Sequence, residues 1–592
     1  QPKAQSHILS KKPSIVRFLP ILYWGPRYNK DTFAEDSIAA IVVAIILIPQ
    51  SLAYALLAGM PAETGLYASI FGLTIYALFG SSNTLSVAPV AILSLMTAVA
   101  IDKLSLGSES EYIAAAVTLA FTSGVVLVLF GFLRLGFIAN FLSHPVISAF
   151  ITASAIIIGL SQVRHFLGVE AGGTNAIEVS TSLLSSVSNT NLVTLILGIS
   201  TILLIILSKR GLRKVLISLG FKPRIAIVFS RSGPLLAAFI TSFLAYFFSL
   251  DQQGVQILGY VQGGLPTIHV PKFSSELIES LLGSALLISI IGFVESVSVA
   301  QSLAARRRES IELDQELIGL GAANLGASFG GGFPITGGFS RSVVNFEAGA
   351  VTPASGLITA LLIMVVTVFF APILYWLPKV SLAAIIVVAV YSLIDFSVLK
   401  RSWIYSKADF IAVFLTLILT LTVGVEVGIA TGVGSSILIH LYKTSQPHVA
   451  VVGRVKETEH FRNINRHKVE IFEELLSIRI DESLYFANSR YLEEFIFNLV
   501  AMRPKLKHVI LMCTAVNKID LSALESLEKI AETLYRANIK LHLSEVKGPI
   551  MDKLATTDFF KHLSGNNYLS HNQAVEDLRE SEPLSSDPKV RL

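Results

Sequence analysis

From about residue 34 to residue 442 the chain alternates long apolar runs with short polar breaks. A membrane helix needs roughly 20 apolar residues. Fourteen runs are candidates, near 36–58, 64–80, 87–101, 112–133, 138–163, 190–208, 234–250, 279–302, 315–329, 340–350, 353–374, 380–394, 408–423 and 425–442. Several are too short to cross alone, and those at 87–101 and 340–350 are the informative ones. Past about residue 447 the pattern changes. Residues 476–480, 509–513 and 539–544 are β-type runs, and an amphipathic helix starts at Leu521. Strands alternating with helices predict a small α/β domain. The expected division is a polar, basic segment 1–33, a membrane domain 34–445, an α/β domain 446–580 and a disordered tail 581–592.

Composition agrees with this pattern. Of 592 residues 53% are hydrophobic and only 15% charged, with mean hydropathy +0.66. Soluble domains run nearer ~25% charged, so most of the chain belongs in a lipid bilayer. A net charge of +4 is too small at this length for a nucleic-acid partner. Residues 1–33 lack an apolar core followed by a cleavage site, so no signal peptide is expected. The single cysteine, Cys513, rules out an intrachain disulfide. No metal-ligand cluster, nucleophilic triad or phosphate-binding glycine loop suggests an enzyme, and no cofactor is expected.

Loop charges test the fourteen-span reading. Counted over the span-flanking loops, twenty lysines and arginines fall on the side of the amino terminus; four, Lys103, Arg164, Lys272 and Lys379, fall on the other. The positive-inside rule then places both termini in the cytoplasm, and a bacterial-type plasma membrane is the expected location.

Two stretches look alike. Phe79-Gly80 leads through a Ser/Thr-rich break to Ser86-Val87-Ala88-Pro89-Val90, and Phe329-Gly330, 250 residues downstream, leads to Ile335-Thr336-Gly337-Gly338-Phe339-Ser340-Arg341. Short, Gly/Pro-interrupted segments at matching places in two halves point to an inverted-repeat transporter. Irregular backbone at membrane depth is tolerated where it lines a cavity. Half-helices starting near Pro89 and Ser340 would aim free N–H groups and positive dipole ends at one another and make an anion site. The alternative is a coincidental Phe-Gly match between Gly-rich membrane helices.

Charged groups within the spans weigh against coincidence. Glu295 lies in the middle of an apolar run, where an ionised carboxylate costs ~2.5–3.5 kcal/mol even on the lenient insertion scale. A carboxyl balanced between burial and a nearby cation suits proton uptake and release. Arg341, between Ser340 and Ser342, is its expected partner, and a guanidinium there grips an oxyanion through two parallel hydrogen bonds. A Glu295–Arg341 salt bridge that only holds two helices together is the competing reading. Gln50 and Tyr54 are placed to face the same cavity from the first span, or else to hydrogen-bond between helices. Glu426, at the start of the last span, reads as structural.

Together these residues resemble the sulfate permease (SulP) family of anion transporters. The resemblance is carried by Pro49-Gln50-Ser51-Leu52-Ala53-Tyr54-Ala55, Gly65-Leu66-Tyr67, Ser86-Val87-Ala88-Pro89-Val90-Ala91, Glu295-Ser296 and Gly338-Phe339-Ser340-Arg341-Ser342. It runs from about residue 20 to residue 575. It implies a polytopic α-helical membrane protein of fourteen spans in two inverted seven-span repeats. These divide into core and gate bundles that move as an elevator, in a homodimer. It also implies an anion site between the third and tenth spans, here Pro89, Val90, Phe339, Ser340 and Arg341, joined by Ser342. Glu295 matches the coupling acid of proton-driven members, so proton-coupled sulfate symport is expected. Bicarbonate, dicarboxylate or chloride exchange, or a channel, is the alternative within the same fold.

The α/β region resembles the STAS domain that follows this transporter fold. Its loop Asn517-Lys518-Ile519-Asp520-Leu521-Ser522-Ala523 matches that family's Asp-Ser-Ser-Gly loop only in part. Leu521 stands where soluble relatives carry the phosphorylated serine, which leaves Asp520 and Ser522 as regulatory candidates.

Overall fold

A computed structural model describes residues 18–141, 143–220, 232–264, 266–271, 274–580 and 583–586. The expectations for residues 1–17, for the loop charges within 221–231 and at Lys272, and for the rest of the tail lie outside these. The chain divides into two compact units, residues 1–436 and 437–592. The division falls inside the last apolar helix, ahead of the 445/446 boundary expected from the pattern.

Among the described residues of the first unit, each predicted run falls on a helix. These are α1 (Lys30–Leu57), α2 (Ala62–Phe79), α3 (Ala91–Asp102), α4 (Glu109–Phe132), α5 (His144–Leu167), α6 (Leu192–Leu207) and α7 (Gly233–Phe247). The second half supplies α8 (Ser275–Arg307), α9 (Leu313–Phe329), α10 (Phe339–Ala348), α11 (Ala354–Phe369), α12 (Lys379–Tyr391), α13 (Lys407–Thr422) and α14 (Val425–Ser445). Six of the described helices are long and apolar enough to cross a membrane by length and composition alone. The fifth starts at His144 rather than 138, because Pro145 sits in its first turn and residues 135–141 form a 3-10 turn. Two short surface helices, Ala176–Ser186 and Ser397–Tyr405, were not expected.

Side-chain caps fix several starts. Asn29 Oδ1 accepts from Thr32 N ahead of α1, and Ser108, Asn191, Ser274 and Ser406 do the same for α4, α6, α8 and α13. Helices α2, α11 and α12 start directly after prolines.

The helices sort into two groups. In one, α9 packs on α4 and α2, α11 on α1 and α2, α8 on α4 and α3, and α10 on α1. In the other, α12 packs on α5 and α6, α13 on α5, and α6 on α7. Helices α7 and α12 meet α1 where the groups join. The first group is tight because glycines allow backbones to touch. A Cβ at Gly124 would lie 2.9 Å from Gly321 O, and one at Gly321 would lie 2.8 Å from Gly124 O.

The second unit is an α/β sandwich. Its strands are β3 (Val449–Arg454), β4 (Phe461–Asn463), β5 (Val469–Ile471), β6 (Leu475–Ile480), β7 (His508–Met512), β8 (Lys540–Ser544), β9 (Asn567–Tyr568) and β10 (Leu584–Ser586). Their order is β10-β5-β3-β6-β7-β8-β9, with β4 beside β3. Strands β6 to β9 are parallel, and their central residues Leu476, Ile478, Val509, Leu511 and Leu541 are wholly buried. Helices α15 (Ser489–Ala501), α16 (Leu521–Arg536), α17 (Gly548–Ala555) and α18 (His571–Leu578) complete the unit. One correction concerns the tail. Leu584–Ser586, expected to be disordered, pair antiparallel with Ile471–Val469, because β5 offers a free edge there.

Candidate functional site

The two similar stretches meet. Strand β1 (Val87–Ala88) pairs antiparallel with β2 (Thr336–Gly337), Val87 opposite Gly337 and Ala88 opposite Thr336. Half-helices α3 and α10 begin three residues and two residues beyond these strands, at Ala91 and Phe339. Neither Val90 nor Gly338, their N-cap residues, offers a side-chain cap. Their first-turn N–H groups therefore stay available to a ligand.

Polar side chains hold this crossing in place. Ser296 Oγ accepts from Gly337 N at 2.8 Å and bonds Thr336 Oγ1 at 2.6 Å. Ser86 N donates to Ser342 Oγ at 2.9 Å, and Gly338 N donates to Ser86 O. Asn324 on α9 clamps Ile335 from both sides, accepting from its N and donating to its O, each at 2.9 Å. Asn324 was missed in the sequence; an amide inside an apolar span was the available signal.

Arg341 is buried, and its guanidinium turns back over Gly338. Nη1 donates to Pro89 O at 2.8 Å and Nη2 to Ala88 O at 3.1 Å. The fork expected to grip an oxyanion thus holds the carbonyls of the opposite half-helix entry. Ala88 ends β1 and Pro89 lies in the break before α3, and a planar two-pronged donor matches their successive carbonyls. Only Nε remains without a partner. Arg341 and Glu295 form no direct ion pair among the described residues, and Glu295 Oε2 is buried and unpartnered. Glu295 and Arg341 are still near enough to act on one another electrostatically, with the Tyr54 hydroxyl beside them.

The remaining expected site residues surround this point. Gln50 and Tyr54 are buried on α1, with Gln50 Oε1 unpartnered. Pro89 and Val90 are buried, whereas Phe339 is 55% exposed and Ser340 is exposed. Ser342 is wholly buried, and its Oγ accepts from Ser86 N. Helices α1, α3, α8 and α10 pack on one another around the crossing. Unpartnered donors and acceptors at Arg341, Glu295 and Gln50 thus come from three of four adjoining helices, and buried polar atoms ordinarily have partners.

Two further buried carboxylates were not anticipated. Glu316 on α9 accepts from Tyr76 Oη at 2.6 Å and from Ser81 Oγ at 2.5 Å and N at 3.2 Å. Asp36 on α1 accepts from Val351 N at 2.7 Å, and from Thr352 N at 3.1 Å and Oγ1 at 2.6 Å. Both are fully hydrogen-bonded fasteners of loops that lead into or out of the half-helices.

In the second unit Asp520 caps α16. Its Oδ1 accepts from Ala523 N at 2.9 Å, and its Oδ2 accepts from Phe486 N at 2.9 Å. Ser522 is exposed in the first turn, next to the exposed Leu521. The lone Cys513 is a buried free thiol whose pKa burial pushes up to about 12.

Comparison with known proteins agrees with this architecture. The sulfate permease family model matches residues 33–416, and the STAS domain model matches residues 466–574. Sulfate transporter 4.1, chloroplastic, of Arabidopsis thaliana is 34% identical over 538 residues, covering 89% of this chain and 77% of its own. Sulfate transporter 1.3 of the same plant is 31% identical, covering 94% and 86%. The murine Slc26a9 anion transporter, solved in an inward-facing state, superposes with a TM-score of 0.85 at 22% identity over 96% of this chain and 95% of its own. The transmembrane domain of the cyanobacterial bicarbonate transporter BicA gives a TM-score of 0.58 at 24% identity, covering 69% and 99%. With one family model spanning most of the helical unit and the other the α/β unit, the chain belongs to the sulfate permease family and carries a carboxyl-terminal STAS domain.

Proposed function

We propose that the protein is a secondary active transporter of a small oxyanion, sulfate first, carried together with protons. The observation that bears most weight is the opposed, uncapped starts of α3 and α10 across the β1–β2 pair. Two helix dipoles, their first-turn N–H groups and the nearby Arg341 charge make an anion-selective point that needs no metal. In this reading Pro89, Val90, Phe339, Ser340, Arg341 and Ser342 form the anion site, with Gln50 and Tyr54 closing it from α1. Arg341 contributes field and shape, and Glu295 takes up the coupled proton. The relatives named as sulfate transporters support sulfate over other anions.

The helix group that holds both half-helices moves against the other as an elevator, and two copies associate as a homodimer. Residues 34–445 serve as the transport domain and 446–580 as a cytoplasmic STAS domain, with the chain in a bacterial inner membrane and both termini on its cytoplasmic side. Asp520 and Ser522 belong to a loop that supports folding and contact, and no chemical step falls to this protein.

The test is uptake of labelled sulfate into proteoliposomes with and without an inward proton gradient, with bicarbonate, succinate and chloride as competitors. Gradient-driven accumulation blocked only by close sulfate analogues is expected. Transport of a competitor without sulfate uptake would move the chain to another substrate.

A further inference from the structure

The half-helix α3 carries the anion site at one end and two opposite charges, Asp102 and Lys103, at the other. Lys103 forms an ion pair with Glu426 in the first turn of α14. The Glu426 side chain is only 15% exposed, and its other oxygen accepts from Ser284 Oγ of α8 at 2.6 Å. Asp102 feels the charge of Arg164 on α5. Helix α14 itself packs with α13 and α5, since Gly428 abuts Thr420 and Gly432 abuts Thr416 and Val146. Lys103 and Ser284 therefore belong to the helix group that bears the site, and Glu426 and Arg164 to the other group.

Beside this junction, between α3 and α5, lies a cavity of about 70 Å³ lined by Leu95, Ala98, Ser161 and Arg164 among others. Its lining thus joins α3 of one helix group to α5 of the other.

We propose that Lys103, Glu426 and Ser284 form a clasp that holds the two helix groups together at the side opposite the amino terminus, and that must part each time the site moves. Glu426 is thus more than a favourable charge at a helix start. It is the point where α14 grips both α3 and α8. Two groups that slide past one another cannot keep an ion pair whose members sit on opposite sides of the sliding surface. The clasp sets the balance between closed and open states on that side, and the anion does not touch it. This inference rests on the alternating-access reading above.

The experiment uses the full chain in intact cells, with Cys513→Ser and Ala98→Cys as a reporter in the cavity, and a membrane-impermeant maleimide added outside. Glu426→Gln is expected to speed labelling about tenfold, and Lys103→Met to do the same from the other partner. The exchanged pair Lys103→Glu/Glu426→Lys should return towards the starting rate. Equal rates in all four chains would overturn the clasp, as would a fast rate in the exchanged pair. Labelling is read without substrate, so failure to carry sulfate bears on the proposed function and not on the clasp.

Discussion

Arg341 on α10 holds Pro89 at the entry to α3, its Nη1 lying 2.8 Å from the Pro89 carbonyl oxygen. One side chain thereby ties the second half of the repeat to the first at the point where both half-helices begin.

Removing that tie should damage binding and shape together. Arg341→Ala is expected to weaken sulfate binding at least tenfold, about 1.4 kcal/mol or more, in a direct binding assay. Arg341→Lys should rescue little, since a single ammonium cannot copy a planar fork. Gly338→Ala should mimic the loss in part, because its Cβ would lie 2.7 Å from the Arg341 guanidinium carbon.

Glu295 offers a separate handle. Its Oε2 is buried and unpartnered, so Glu295→Gln keeps the shape and removes the titrating group. The expected outcome is sulfate exchange that persists while gradient-driven accumulation disappears. Accumulation by the Gln variant that still tracks an imposed pH difference would remove Glu295 from the coupling role.

Glu316 should report on stability. Glu316→Ala strands the buried Tyr76 hydroxyl and removes the partner of the half-buried Ser81, and a stranded buried group costs about 1–3 kcal/mol. A lower unfolding temperature in detergent is expected. Glu316→Gln should cost less, because it still accepts one of these bonds.

Gly124→Leu and Gly321→Leu should each prevent assembly of the helix group that bears the site. The Cβ alone meets backbone 2.9 Å and 2.8 Å away, which no rotamer relieves. Loss of the monodisperse peak in size-exclusion chromatography checks this, with Gly434→Ala, where nothing lies within 4 Å, as the tolerated control.

In the STAS domain His571 is buried between Ser544 Oγ at 2.7 Å from Nδ1 and Ser477 Oγ at 3.0 Å from Nε2. Burial pushes its pKa down from 6.5 to about 4. The unfolded chain then binds a proton that the folded one refuses, so stability is full above about 6.5 and falls as pH drops towards 4, by about 3 kcal/mol in all. Amide exchange at β8 in the full chain, corrected for its intrinsic pH dependence, should quicken over that window and be flat above pH 7.

The apolar runs determined the fourteen helices and the change to an α/β domain, because hydrophobic length and periodicity are local properties of the chain. The matching breaks at Phe79-Gly80 and Phe329-Gly330 also pointed to two half-helices, since glycine and proline act where they stand. The sequence could not say that Arg341 would spend its fork on Ala88 and Pro89 rather than on Glu295. Which acceptor a long side chain reaches depends on strands 250 residues apart coming together. Asn324, Glu316 and Asp36 stayed hidden for the same reason: each looks like a stray polar residue until its partners arrive from another helix. Only the tertiary structure decided that Lys103 and Glu426, 323 residues apart, meet across the joint between two helix groups. An ion pair depends on position in space, and local pattern carries no information about that.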